Sequence, residues 1–361
     1  MGGFRDHPAQ TPAEDERFSC GARFLSLRRA AVEGWLPSYP ERTMEPTLPG
    51  VDDYPLPTLQ EYIRQRPRPD VVGAGLGPAT PYAHPVDQRL IRLLSRTSLQ
   101  HATNRFLELA IDFFFTRIWQ NSIPVASRSF PELNRIRAQA AETLGIAVPE
   151  IYVAAGERLG TVGTVGTDEQ HFIFVDSTWL SLAPADEVLF VIGHESGHIH
   201  NQHVTYRTLA FLLLEGGASL LDRHPLLGLW AKMLRLLFEP VLAAWSRRAE
   251  VTGDRAGLLC GQDLRSAERA LVRLMLGFAR DTEVDIDAYL DDMRERPPTG
   301  LSARLGLLNA THPPIPRRLE ALRLFHDSEL YYDCLGHLHP ERPLLSAAEL
   351  NDRVDDLIAV L

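Results

Sequence analysis

The sequence predicts an α+β chain that is predominantly helical, with a small β-sheet set beside one buried helix. Three observations predict it. Apolar residues recur at helical spacing over most of the chain beyond about residue 86. Between two such stretches the period shortens. Glu150-Ile-Tyr-Val-Ala154 and His171-Phe-Ile-Phe-Val175 are short runs of β-branched and aromatic residues, joined by the Gly/Thr-rich segment from Gly160 to Thr167. The helical pattern then returns in Asp186-Glu-Val-Leu-Phe-Val-Ile192, and the motif His194-Glu195-Ser196-Gly197-His198 follows directly.

Each element has its own warrant. Residues 1 to about 84 are rich in Pro, Arg, Asp and Glu. Leu36-Pro, Glu45-Pro, Tyr54-Pro-Leu-Pro and Arg66-Pro-Arg-Pro interrupt any long helix, so this stretch reads as an extended or loosely helical arm. Asp70-Val-Val-Gly-Ala-Gly-Leu-Gly77 resembles a nucleotide-binding glycine turn, but Pro78 holds the third glycine position and no helix pattern follows; it reads as a loop. Val86 to Trp119 is a helical stretch. Pro131 to Leu144 is a second helix, with proline in its first turn and Gly145 after its end. The helix carrying the motif has acidic Asp186 and Glu187 near its positive N-terminus. Two apolar helices are expected between Leu209 and Trp245, then mainly helix to Phe325, and a last amphipathic helix over Asn351 to Leu361. Three regions are expected, their bounds set by the extent of the family resemblance given below: an N-terminal extension over 1–127, a central domain over 128–327 and a helical tail over 328–361.

Composition bounds the function. The chain has 361 residues, 45% hydrophobic and 23% charged, with a formal net charge of -10, which describes a globular protein with a sizeable core. The acidic balance argues against nucleic acid as the main partner. Cys20, Cys260 and Cys334 are too scattered for a disulfide framework. The start, Met1-Gly-Gly-Phe-Arg-Asp-His-Pro, lacks the apolar core of a secretory signal, so a cytoplasmic location is expected. Leu209 to Leu221 is too short to span a membrane and carries Glu215. Leu226 to Trp245 is long enough but carries Lys232, Arg235 and Glu239 on one helical face. Core-packed amphipathic helices are the plain reading of 209–245; a surface touching membrane or a partner is the sharper one.

On a helix, residues four apart share a face, so His194 and His198 can aim imidazole nitrogens at one metal ion. Glu195 then sits beside the site, where it can take a proton from water without binding the metal. That is the chemistry of a zinc hydrolase. A catalytic zinc usually takes a third protein ligand. Val204 stands where the extended motif with a third histidine needs His, and neither His200 nor His203 falls a turn beyond His198 on the ligand face. Glu215 is one candidate. Glu250 is another, because Glu250 and Asp254 share a helix face: one carboxylate can bind metal and the other can hold a ligand histidine. An exposed helix laced with Arg and Glu salt bridges fits the same spacing.

The chain resembles the HtpX-type and CAAX prenyl endopeptidase family of zinc metallopeptidases, which are gluzincins. The resemblance rests on Pro131-Glu-Leu, Leu144-Gly-Ile, Pro149-x-Ile-Tyr-Val153, Phe172-Ile-Phe-Val, Asp186-Glu-Val-Leu, His194-Glu-x-x-His-Ile-x-x-x-His203, Glu250-x-x-x-Asp254-Arg-x-Gly257 and Thr311-His-Pro-Pro-Ile-Pro-Arg-Arg-Leu-Glu-Ala-Leu322, in that order. It implies a gluzincin core, one zinc per chain on His194, His198 and Glu250, Glu195 as catalytic base and Asp254 behind a ligand. It also puts His312 and Arg317 near the active site, holding a helix or stabilising the transition state. A turn histidine packed on Pro313 is the other reading of His312. The family's Asn-Ala-Phe edge strand is replaced here by Gly160 to Thr167, the strand on which a peptide would pair.

The expected activity is zinc-dependent endopeptidase cleavage of a polypeptide substrate, with the chain cytoplasmic or peripheral to a membrane. Two rivals are a zinc-bearing chaperone or scaffold, and a latent protease whose residues 1–127 cover the cleft, with Cys20 as a cap on the zinc.

Overall fold

The computed structural model describes residues 80–87, 89, 107, 121–155, 161–214, 225–276, 284–296 and 310–359. Cys20, Glu215, the Asp70 to Gly77 loop and most of the 86–119 helical stretch lie outside them.

Strand β1 (Ser122–Pro124) precedes helix α1 (Pro131–Leu144), which has Pro at its first turn. Gly145 ends it at φ 65, the left-handed conformation that glycine adopts freely. Strands β2 (Ile151–Ala154), β3 (Val162–Gly166) and β4 (His171–Asp176) follow. The sheet order is β1-β2-β4-β3; β2 and β4 run parallel, and the two outer pairs are antiparallel. β2 and β4 fall within a residue of the expected runs. β1 has no counterpart among the expectations: three residues carry too little pattern, and pairing with β2 makes them a strand.

Asp176 caps helix α2 (Ser177–Leu182) through Thr178 N and Trp179 N. Helix α3 (Ala185–His200) carries the histidine motif and is the buried helix of the fold. Its acidic first turn is tied down from outside: Glu187, fully buried, lies 2.6 Å from Arg273 Nε, and Asp186 lies 3.2 Å from Arg269. Val188, Phe190, Val191 and Ile192 join the main core with Trp179, Ile173 and Val175 of the sheet side. Each such side chain contributes about 1.5–3 kcal/mol on burial.

Helix α4 (Val204–Leu214) starts earlier than expected, because Asp168 of the β3–β4 turn accepts hydrogen bonds from Val204 N and Thr205 Oγ1. Helix α5 (Pro225–Gly261) joins what the sequence offered as separate helices, running through Pro240 to Glu250 and Asp254. No helix among the described residues is long and apolar enough to cross a membrane. α4 and the middle of α5 share a second core around Leu209, Leu213, Leu242 and Trp245. Nearer its start, α5 exposes Leu229, Met233 and Leu236 beside Lys232 and Arg235.

Helices α6 (Leu264–Leu276), α7 (Ile286–Glu295), α8 (Ile315–His326), α9 (Glu329–Leu335) and α10 (Ala347–Ile358) complete the chain. α10 begins four residues before the expected Asn351, because Ser346 and Glu349 form a reciprocal capping box there.

Candidate metal centre

Two helices build the site. α3 and α5 cross closely because glycine lies on both surfaces. A Cβ added at Gly197 would stand 2.4 Å from Ala256 Cβ, and one at Gly253 would stand 2.7 Å from His194 Cε1. The crossing brings Glu250, one turn before Asp254, against the histidine pair.

The ligand atoms converge as the spacing of α3 requires. His194 Nε2 and His198 Nε2 are 3.0 Å apart. Glu250 lies 3.7 Å from the first and 3.6 Å from the second. Among the described residues these three alone form a cluster able to hold a metal. Bonds of about 2.0–2.1 Å in a tetrahedron imply ligand atoms roughly 3.3 Å apart, so the observed spacings fit zinc. His194 Nδ1 lies 3.0 Å from Asp254 Oδ1, which fixes its proton there and turns the Nε2 lone pair inward. The donor set already draws a cation: Arg207 Nη1, from α4, lies 2.8 Å from His198 Nε2 and bonds Glu250.

Charge state follows from surroundings. Burial opposes ionisation of Glu250, but His312, Arg207 and Arg318 outweigh it and hold the carboxyl well below the usual range. Burial, with the charge of Arg207 next, pushes the His198 imidazole far down, which favours the neutral form that can bind a metal. Burial also works against Asp254, and Arg318 more than reverses it.

Glu195 stands beside the pair. Its Oε2 accepts hydrogen bonds from Thr164 N at 2.8 Å and Thr164 Oγ1 at 2.6 Å. Its Oε1 lies 3.9 Å from His194 Nε2. The cluster opens into a cleft of about 590 Å³, lined among others by Val162, Phe190, Met275, Tyr289, His312 and Ile315.

Residues 128–325 match peptidase family M48. The chain belongs to peptidase family M48. This is a family of zinc metallopeptidases, gluzincins, and the His/His/Glu cluster is a candidate metal site consistent with that core. Similar proteins include the plastoglobule-localized metallopeptidase 48 of Arabidopsis thaliana, 29% identical over 174 residues, which are 48% of each chain. Protease HtpX homologs of Acidiphilium cryptum and Pyrococcus furiosus are 30% and 25% identical over 230 and 225 residues, covering 55% and 57% of this chain and 76% and 77% of theirs. The M48 chain thus spans about half the length of the plant relative and about three quarters of these HtpX homologs. No solved structure matches it.

The M48 site corrects one expectation and adds to others. Arg317 does not reach the metal cluster; its Nη1 donates to Ala359 O beyond α10. Arg318 takes the place: it lies 3.1 Å from Glu250 and donates to both oxygens of Asp254 at 2.9 and 2.6 Å. The reason is helical phase, since Arg318 shares the buried face of α8 with Leu322 and Phe325. His312 is at the site, with Nε2 3.5 Å from Glu250 and its side chain 41% exposed. Thr164 was legible only as part of an unusual edge strand. The amides of Thr164 and Gly166 are committed to Glu195 and Thr208 Oγ1, which leaves Thr161 and Val162 to line the cleft. Of the N-terminal extension, Tyr82, His84 and Asp87 are buried against α3 and α5, and none of Thr80 to Asp87 lines the cleft.

Proposed function

We propose that this chain is an endopeptidase that holds one zinc ion on His194, His198 and Glu250 and uses Glu195 as general base. The observation that carries the proposal is the convergence of those three ligand atoms at an open cleft with the Glu195 carboxylate beside them. When bound, zinc supplies a Lewis acid that acidifies water and polarises a carbonyl.

The protein's own groups do the rest. Thr164 anchors one oxygen of Glu195 with two donors, so the other is held in a fixed place to take a proton from water and pass it to the leaving amine. Asp254 keeps the His194 ring in one tautomer, and Arg318 balances the buried charges of Glu250 and Asp254. His312, on the rim beside Glu250, is placed to donate to the oxygen that gains charge as the carbonyl is attacked. A polypeptide substrate enters along Thr161 and Val162. Phe190, Met275, Tyr289 and Ile315 favour an apolar side chain next to the scissile bond.

The same reading keeps the chain in the cytoplasm. Its support is three scattered cysteines, of which Cys260 and Cys334 are free and buried. Exposed Leu229, Met233 and Leu236, set among Lys232 and Arg235, support contact with a membrane surface or partner there.

The test is Glu195→Gln. That variant is expected to keep its fold and zinc and to lose essentially all cleavage of casein or a quenched peptide, since an amide accepts no proton from water. The unaltered chain should lose the same activity to a chelator. Turnover at the native rate in Glu195→Gln removes Glu195 from the mechanism.

A further inference from the structure

Asp87 lies outside the family-matched residues 128–325, yet it ends behind a metal ligand. Its carboxylate is fully buried, as are His203 and Thr252. A carboxylate is costly to bury without partners, and its partners here form a chain that leads to the metal centre. Asp87 Oδ2 accepts from Thr252 Oγ1 at 3.0 Å and lies 2.9 Å from His203 Nε2. His203 Nδ1 lies 3.1 Å from His198 Nδ1.

The backbone is bent to make this contact. α3 ends at His200, and Gln202 then takes φ 58, the left-handed region that costs a side chain other than glycine. That turn brings the His203 amide to His198 O at 3.0 Å and folds the His203 ring back against His198, with Trp245 edge-on at 5.5 Å on the other side.

Proton bookkeeping gives the chain a direction. The Asp87 carboxylate, 2.9 Å from His203 Nε2 but off the line of a hydrogen bond, favours the proton on that nitrogen by its charge. His203 Nδ1 then carries a lone pair and accepts from His198 Nδ1–H. The lone pair of His198 is thereby left on Nε2, which faces His194 and Glu250. We propose that Asp87 and His203 are positioning residues of the metal centre: the Asp87–His203 relay locks His198 in the metal-binding tautomer and ring orientation. The segment around Asp87 is thus a working part of the peptidase core. This inference rests on His198 being a zinc ligand.

The test uses the full chain and zinc alone, with affinity read by competition against a chelator and the melting temperature of each metal-free form measured alongside. Asp87→Asn and His203→Asn are each expected to weaken zinc by about 10–100-fold. The double variant should be little worse than either, because the two act in series. Tyr82→Phe is the structural control, since it removes a buried hydroxyl from the same segment that meets His200 and Asn201 instead. It should lower the melting temperature without changing affinity. Independently of any variant, nitrogen-15 spectra of the native chain should show His203 protonated on Nε2 and His198 on Nδ1. Zinc affinity in Asp87→Asn within twofold of native, or the opposite tautomers, overturns the relay. A native chain that binds no zinc overturns both the relay and the metal-centre reading beneath it.

Discussion

Gly253 faces both histidine rings across the α3–α5 crossing, where a Cβ would come within 2.7 Å of His194 Cε1 and 2.9 Å of His198 Nε2. Alanine favours a helix over glycine by about 1 kcal/mol, so Gly253→Ala should leave helicity intact. The methyl must still displace the ligand rings. Zinc affinity is expected to fall at least ~10-fold, on the scale of a disturbed ligand shell, read by chelator competition beside circular dichroism. Native affinity would mean that the crossing is looser than these distances. Arg318 and Arg317 offer a second contrast between neighbours. Arg318→Gln leaves Glu250 and Asp254 without their buried cation and should cost about 3–5 kcal/mol, whereas Arg317→Gln should stay within roughly 0.5 kcal/mol. Urea unfolding of the metal-free chains separates the two. The sequence reading chose Arg317; the buried phase of α8 puts its neighbour Arg318 at the carboxylates instead.

At the scale of elements, the short segment Thr80 to Asp87 is held to α5 through His84. Its amide donates to Thr252 Oγ1 at 3.1 Å. Burial, then the charges of Arg255 and Arg248, pushes the imidazole down to about 3. The unfolded chain therefore takes up this proton first as pH falls. The stability His84 confers is complete above about 6.5 and drains away as pH drops toward the folded value of about 3. One such group steepens the acid side of the stability curve by up to about 1.4 kcal/mol per pH unit. His84→Gln should flatten that slope between pH 6 and 4 in thermal melts; an unchanged slope would show that His84 titrates normally. Helices α1 and α3 and strands β2 and β4 were legible because their apolar period and end residues agree with their tertiary use. The continuation of α5 past Trp245 through Glu250 and Asp254 was not, since it is packing by α4 on the first half and α3 on the second that holds the two stretches in one helix.

For the whole molecule, metal and stability should be coupled. A ligand bound only by the folded chain stabilises it by about 2.7 kcal/mol at a hundredfold excess over its dissociation constant. A chelator should therefore lower the melting temperature of the native chain. In Glu250→Ala, zinc content, activity and that chelator effect should vanish together. A chelator effect that survives in this variant would move the third ligand elsewhere, Glu215 first.

By itself the sequence determined the motif helix, the two histidines and the glutamate that it carries side by side, and the class of chemistry. Each depends on spacing within one helix, where the period of 3.6 residues fixes which side chains share a face. It also brought Glu250 and Asp254 onto one face, but spacing alone left a metal site and a salt-bridged surface helix equally open; the family resemblance favoured the site. Only the tertiary structure decided what stands behind the ligands. Thr164 reaches Glu195 across 31 residues, Arg318 reaches Asp254 across 64, and Asp87 lies 116 positions before His203 in the chain. Local period carries no information at such separations. The contacts exist because glycine lets two helices cross closely and because a left-handed turn at Gln202 sends the His203 ring back against His198.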